Sequence, residues 1–510
     1  MTPYSSNNKQ IARNTIILYF RMMIIMIANL YLSRVVLNTL GVKDYGIYNV
    51  VGGFVTMFTI LSGSLSNAIG RYITFELGRG DLDKLKRVFS TSITVQIILS
   101  CVIGIIIEMV GIWFLNSKMQ IPYNRMVAAN WVLQCSIITF VINLLSIPYN
   151  GCIIAHEHMA AFSYISILDV MLKLSSTLLL YIYFPDKLIA YSLFLTISAV
   201  IVRIVYAAYC KKNFEECKYI FYFDKPLIKE ITEMASWNFF GTGGSILSNQ
   251  GVNVLINLFF GVALNAARGI SMQVNSAVQQ FAGSFITAIN PQITKFYSRG
   301  NYEEMRRLVF RGIKYSYFLM FMIALPIFIE APVILRLWLK TVPEFTVVFV
   351  RLTLLLLLTA VLSNLLFTVV MATGKIKKYQ IVVGSLSISV FLITYIAYKF
   401  GANVTTTYYI SLFMDTIILC ARFQIVSKLV YLGVKDFFNK VILRIVMVTI
   451  SSALIPIYLY YIFPENIYNN LIIILACFVC TFSSIILIGL TGNERKKMYQ
   501  TICARLTDKK

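Results

Sequence analysis

Three asparagines, Asn249, Asn253 and Asn257, recur at i, i+4 steps with Gln250 beside them. On a helix this spacing lines one face with amides for three turns. An amide both donates and accepts hydrogen bonds, so such a face suits a hydroxyl-rich ligand such as a sugar; hydrogen bonding between helices accounts for it as well. Gln273, Gln279 and Gln280 follow farther along, and Asn29 with Ser33 forms a shorter polar stretch near the N-terminus. The second chemical element is arginine inside apolar runs: Arg21, Arg34, Arg203, Arg351, Arg422 and Arg444. A charge at mid-bilayer costs at least about 2.5–3.5 kcal/mol on insertion scales, so each one marks a candidate water-filled cavity. Guanidinium forks match phosphate oxygens. Arg203, Arg422 and Arg444 lie within reach of an interface and can snorkel there, whereas Arg21, Arg34 and Arg351 read as anion contacts. Asp169 and Lys173 stand i, i+4 near mid-span. They either neutralise each other or take part in ion coupling; Asp415 is the other mid-span carboxylate. The candidate substrate-cavity set is therefore Arg21, Asn29, Arg34, Lys173, Asn249, Gln250, Asn253, Asn257, Gln273, Gln280, Arg351 and Arg422, with Asp169 and Asp415 as candidate coupling groups.

Other chemistries find little support. His156 and His158, the chain's two histidines, form His-Glu-His in a connection that reads as a surface loop rather than a metal site. The nine cysteines are scattered, and Cys477 with Cys480, a CxxC inside the last apolar run, reads as helix packing. There is no GxxxxGK[ST] phosphate loop. Energy coupling is thus expected from H+ or Na+ or from a partner, not from bound ATP. No nucleophile, base and orienting group come together in sequence, so the expectation is a protein that is not an enzyme and holds no cofactor and no metal.

These residues must be positioned by helices. Of 510 residues 58% are hydrophobic and only 13% charged, too apolar for a soluble fold. Long apolar runs without strand-like alternation must be helices, because hydrocarbon offers no partners to backbone N–H and C=O groups. Spans are expected near residues 15–37, 47–69, 88–115, 127–149, 160–184 and 188–210, then 236–260, 269–290, 312–335, 345–371, 380–398 and 404–427, with a final pair at 440–463 and 467–491. That is an all-α integral membrane protein of about fourteen transmembrane helices. The polar leader MTPYSSNNKQIARN shows no cleavage site, so the first run reads as a span and not a removable signal. Lys and Arg concentrate on alternate connections: Arg71, Arg79, Lys84, Lys86 and Arg87; Lys295, Arg299, Arg306, Arg307 and Arg311; Lys375, Lys377 and Lys378; and the tail from Arg495 to Lys510. By the positive-inside bias both termini are cytoplasmic. The formal charge of +23 then reflects orientation and anionic lipid, not nucleic acid.

Slid along itself until Gly78 meets Ser298, the chain aligns Gly78-Arg79-Gly80-Asp81 through Arg87 with Ser298-Arg299-Gly300-Asn301 through Arg307, without a gap. At the same offset Asn29 falls on Asn249, and Gly41-Val42 on Gly261-Val262. An even number of spans separates the copies, so the halves share orientation about an axis along the membrane normal. The expected organisation is residues 1–210 as one six-helix bundle, 211–235 as a cytoplasmic linker, 236–430 as a second parallel bundle, and 431–510 as two further helices with a basic tail. In such a carrier the substrate route lies between bundles that rock to open alternately to either face.

The stretch LSRVVLNTLGVKDYGIYNVV, followed by SGSLSNAIGRYITFELGRGDLDKLKRVF, resembles the N-terminal signature of polysaccharide-biosynthesis flippases, with Arg34, Leu40, Gly41, Tyr45, Gly46, Arg71, Gly80 and Asp81 matching. The chain is similar to Wzx-type members of the multidrug, oligosaccharidyl-lipid and polysaccharide (MOP) exporter superfamily, of MATE-like fold. The resemblance implies a protein of the bacterial inner membrane that moves an undecaprenyl-pyrophosphate-linked oligosaccharide outward for O-antigen, capsule or a similar glycan, beside a polymerase and other assembly proteins. Alternatives are a cation-coupled multidrug exporter, a lipid II flippase and, from another class, a membrane glycan polymerase or glycosyltransferase. The scarcity of intramembrane carboxylates speaks against the first of these, and the lack of a large extramembrane connection against the last.

Overall fold

In the computed structural model, residues 3–56, 58–117, 121–181, 184–220, 224–260, 262–339, 342–492 and 494–495 are described. The basic tail beyond Arg495 lies outside them, as do the side chains of Ser33, Arg34, Tyr45, Gly46 and Asn257. The described residues are helical, with no strand among them. Helix α1 (Pro3–Thr56) is broken at Gly41, whose φ of 78° is left-handed, and α2 (Thr59–Arg79) follows. Then come α3 (Leu82–Ser117), α4 (Met126–Ala155), α5 (Met159–Leu179), α6 (Lys187–Asn213), α7 (Lys225–Phe260) and α8 (Val262–Ser298). The chain continues through α9 (Tyr302–Ile329), α10 (Ala331–Leu339), α11 (Thr346–Thr373), α12 (Lys377–Lys399) and α13 (Thr406–Val430). It ends with the short α14 (Val434–Phe437), α15 (Leu443–Ile462) and α16 (Ile467–Ser484).

Ten of the described helices are long and apolar enough to cross a membrane, and the chain is an all-α, multi-pass membrane protein. Their outer faces invert the soluble pattern: Leu471, Ile472, Leu475, Val479 and Phe482 of α16 are all exposed, as lipid contact requires. The expected spans near 15–37, 47–69, 236–260 and 269–290 are helical too, within α1, α2, α7 and α8.

Some boundaries differ from the periodicity. The expected 47–69 span covers the end of α1 and the start of α2, with Met57 outside the described residues. The expected 312–335 span stops at Glu330, and α10 begins after it. Helix α7 starts at Lys225, well ahead of residue 236, because the amphipathic stretch before the apolar run is helical as well.

Backbone contacts divide the chain into two compact units. One comprises Met1–Gly243, Thr287–Asn301 and Gly374–Gln380; the other comprises Gly244–Ile286, Tyr302–Thr373 and Ile381–Lys510. In the first, α4 packs on α2, α3 and α6, and α1 on α5. In the second, α11 packs on α9 and α13, and α16 on α15 and α9. A core of Val252, Leu255, Ile256, Phe349, Tyr398 and Tyr408 holds α7, α11, α12 and α13 of the second unit together.

The repeat is visible in three dimensions. Gly80 (φ 78°) ends α2, and its equivalent Gly300 (φ 72°) follows α8, both in the left-handed conformation that favours glycine at helix C-termini. Gly78 and its equivalent Ser298 pack directly against each other: a Cβ on Gly78 would stand 2.0 Å from Ser298 Oγ and 3.0 Å from Lys295 Cα. Arg299 Nε also donates to Gly78 O at 3.0 Å.

Candidate functional site

In the first unit, Arg21 lies on α1 with its guanidinium 4.5 Å from the centre of the Phe162 ring on α5. Among the described residues its buried Nε has no hydrogen-bond partner and Arg21 makes no ion pair. Asn29, two turns along, is exposed. Lys173 Nζ donates to Asp169 Oδ2 at 2.7 Å, so on α5 the two charges neutralise each other. Arg203 lies 4.0 Å over the Tyr149 ring.

In the second unit, Asn249 and Gln250 are exposed on α7. Asn253 Nδ2 donates to Gln250 Oε1 at 3.2 Å, and Asn253 Oδ1 accepts from Arg268 Nε at 2.5 Å. Arg268 sits in the second turn of α8, only 6% exposed, with its guanidinium 5.6 Å from the Tyr408 ring. Among the described residues it makes no ion pair. Sequence reading missed it because Asn265-Ala266-Ala267-Arg268-Gly269 looks like a polar connection ahead of an apolar run starting at 269. Its signal was the lone arginine preceded by two alanines, compatible with a helix that starts earlier. Gln273 and Gln280 are exposed on α8.

Arg351, on α11, bonds to the backbone of α9. Its Nε donates to Phe328 O at 2.9 Å and its Nη2 to Ile329 O at 3.1 Å, satisfying carbonyls at the C-terminal end of α9. Arg422 Nη1 donates to Ser363 Oγ at 2.6 Å, joining α13 to α11. Asp415, also on α13, is half-buried and makes no ion pair among the described residues. Arg444 reaches the carbonyls of Ile488 and Gly489, both at 3.5 Å.

Two charge clusters that sequence could not assemble organise the first unit. At one end, Arg125 joins both carboxylates of Asp44 and Asp186, with Nε to Asp44 Oδ1 at 2.9 Å and Nη1 to Asp186 Oδ2 at 2.6 Å. Asp186 meanwhile caps α6 through the N–H groups of Leu188 and Ile189. At the other end, Glu157 stands in the turn between α4 and α5 with φ 61°. Its carboxylate accepts from Gln292 Nε2 at 2.6 and 2.8 Å and from Lys295 Nζ at 2.6 Å, both on α8. Asn14 Nδ2 on α1 donates to the Glu157 carbonyl at 3.4 Å. One glutamate thus ties the α4–α5 turn, α1 and α8.

The neighbouring His-Glu-His is not the solvated loop that its polarity suggested. His156 stacks on Phe214 with ring centres 4.1 Å apart, and its Nε2 lies 2.5 Å from Glu216 Oε1. His158 Nδ1 lies 2.9 Å from the Tyr209 hydroxyl, and burial together with the charges of His156 and Lys295 lowers its pKa. The groups with metal-ligand chemistry gather beside His156, at Cys152, Glu216 and Cys217.

The chain matches no protein-family model. It is 19% identical over 302 residues to the uncharacterized membrane protein EpsK of Bacillus subtilis (strain 168), and this match covers 56% of the chain and 57% of that relative's length. An outward-facing multidrug resistance MATE family transporter of the MOP superfamily superimposes with a TM-score of 0.71 at 13% identity, covering 83% of this chain and 96% of that one. A MOP superfamily transporter from Pyrococcus furiosus, described as having a binding pocket of reverse polarity that suggests a different function, superimposes with a TM-score of 0.68 at 13% identity over the same shares. The fold of this chain is that of the MATE transporters of the MOP superfamily.

Proposed function

We propose that this transporter is a flippase for an undecaprenyl-pyrophosphate-linked oligosaccharide, working by alternating access in the inner membrane. The observation that carries the reading is Arg268: a guanidinium 6% exposed inside an apolar protein, held by the Asn253 amide and the Tyr408 ring, with no carboxylate partner among the described residues. A buried cation without a counter-charge is costly. A phosphate-bearing headgroup supplies that charge, and the guanidinium fork fits its oxygens. Arg21, likewise without an ion pair among the described residues, adds a second such position in the first unit. The exposed amides Asn29, Asn249, Gln250, Gln273 and Gln280 suit sugar hydroxyls. The lipid tail stays in the bilayer, so the protein needs to shield only the polar headgroup.

Asp415 favours a second reading, a cation-coupled multidrug exporter: a half-buried carboxylate without an ion pair among the described residues suits a coupling proton or Na+. One comparison separates the two. In a strain lacking this protein, finished lipid-linked oligosaccharide accumulates on the cytoplasmic face and the surface glycan is lost if it is the flippase. Normal lipid-linked pools and intact glycan, with new sensitivity to cationic dyes, overturn the flippase reading in favour of the exporter.

A further inference from the structure

Cys152 in the last turn of α4, Cys210 near the end of α6, and Glu216 and Cys217 in the 3-10 turn after it come together in the first unit. The Sγ atoms of Cys152 and Cys217 and a carboxylate oxygen of Glu216 all lie within 4.8 Å of one another. Cys217 interacts electrostatically with both Cys152 and Cys210, and Cys210 Sγ contacts the Tyr149 carbonyl at 3.5 Å. None of the four is more than 4% exposed. Helix packing alone does not call for three thiols beside a carboxylate that is only 2% exposed.

We infer that Cys152, Cys210, Cys217 and Glu216 form a closed tetrahedral site for a thiophilic divalent cation of the zinc class. Such an ion takes thiolate ligands at about 2.3 Å and carboxylate oxygen at about 2.0–2.2 Å, and four protein ligands without an open position mark a structural site. Ligand atoms in that tetrahedron stand about 3.5 Å apart, so Cys152, Cys217 and Glu216, already within 4.8 Å of one another, need to draw inward by about an ångström, and Cys210 supplies the fourth corner by turning its Sγ from the Tyr149 carbonyl. His156 completes the pattern from outside, with Nε2 2.5 Å from Glu216 Oε1 and its ring stacked on Phe214. A histidine held against a ligating carboxylate orients it and fixes its protonation. Lys86 and Arg203 act electrostatically on Glu216 and Cys210, and their positive charges offset the anionic ligand set. Bound there, the ion pins the segment after α6 to α4.

The test uses full-length protein purified in detergent under anaerobic, reducing conditions, freed of metal with a chelator and titrated with Co2+. The expected result is saturation at one equivalent, with the thiolate-to-cobalt charge-transfer absorption and the visible bands of a tetrahedral ion, both abolished by one equivalent of Zn2+. Cys217→Ser should weaken Co2+ binding at least tenfold, while Cys101→Ser, at an exposed position on α3, should leave it unchanged. Zn2+ should also raise the melting temperature of the wild-type protein. Absence of tetrahedral bands in the wild type overturns the proposal, and this reading does not depend on any variant folding. Full-strength bands in Cys217→Ser overturn it equally, as does recovery of Cys217 in a disulfide from protein isolated without oxidant.

Discussion

Lys295 on α8 donates to Glu157 in the α4–α5 turn across 2.6 Å, and the two side chains are only 16% and 2% exposed. These residues are far apart in sequence, and the turn that presents Glu157 adopts a left-handed backbone to do so. Breaking one side of a buried ion pair costs about 3–5 kcal/mol, because the remaining charge stays buried. Lys295→Met should therefore loosen the α4–α5 turn from α8 and increase the reactivity of cysteines placed at these two segments. The swap Glu157→Lys with Lys295→Glu should restore the wild-type reactivity, measured as labelling rate in membranes. Equal labelling in Lys295→Met and wild type would show that the pair does not hold the α4–α5 turn to α8.

Gly78 has no room for a side chain, since a Cβ would meet the Lys295 backbone at 3.0 Å and Ser298 Oγ at 2.0 Å. The serine hydroxyl can rotate away, but the helix backbone cannot. Gly78→Val should cost about 1–3 kcal/mol through overpacking and impair transport. Gly63→Ala, whose Cβ would meet nothing within 4 Å, should be tolerated. Complementation of a deletion strain, normalised to membrane abundance, distinguishes the two.

Arg268 and Arg351 should separate binding from architecture. Arg268→Ala is expected to reduce transport of a phosphate-bearing headgroup by tenfold or more, with Arg268→Lys intermediate because a point charge lacks the fork. Arg351→Ala instead strips two hydrogen bonds from the end of α9 and should lower the melting temperature, at about 1–2 kcal/mol for each carbonyl left unpaired. Transport assays with thermal denaturation in parallel check both. A pure stability loss in Arg268→Ala would argue against its contacting substrate.

Glu494 anchors the chain after α16 to α9 through Lys314 Nζ at 3.0 Å and Arg311 Nε at 3.1 Å. Burial pushes its carboxyl up, but the Thr491 N–H and the Lys314 charge outweigh it and bring its pKa down to about 2. A carboxylate depressed below its ordinary value of about 4.3 stabilises fully above that pH and loses the contribution as pH falls toward about 2. Protease protection of this segment should accordingly be constant at neutral pH and decline between about pH 4 and 2. In Glu494→Gln the protection should be lower throughout and flat across that window.

Arg125 offers a fifth check at the opposite end of the first unit. Arg125→Met leaves the Asp44 and Asp186 carboxylates close together without their shared cation. The variant should lose about 2–3 kcal/mol, as expected when a hydrogen bond to a charged group is removed. Adding Asp44→Asn should recover part of the loss, read as melting temperature in detergent.

The sequence by itself determined the local and the periodic. Apolar runs unbroken by charge had to become helices in a medium without hydrogen-bond partners, and the Gly-Asp and Gly-Asn of the repeat stopped two helices alike, at Gly80 and Gly300. The amide series on α7 was legible for the same reason, as a feature of one helix face. What tertiary structure alone decided is which distant groups meet. Arg351 reads as a free cation until the end of α9 is brought beside it, and Arg268 reads as a loop residue until α8 starts at Val262. Glu157 meets Lys295, and Cys152 meets Cys217, only after helices far apart in sequence pack together. Helical periodicity constrains neighbours three and four residues away. Which faces then pack together depends on the summed fit of many side chains, and no single segment carries that information.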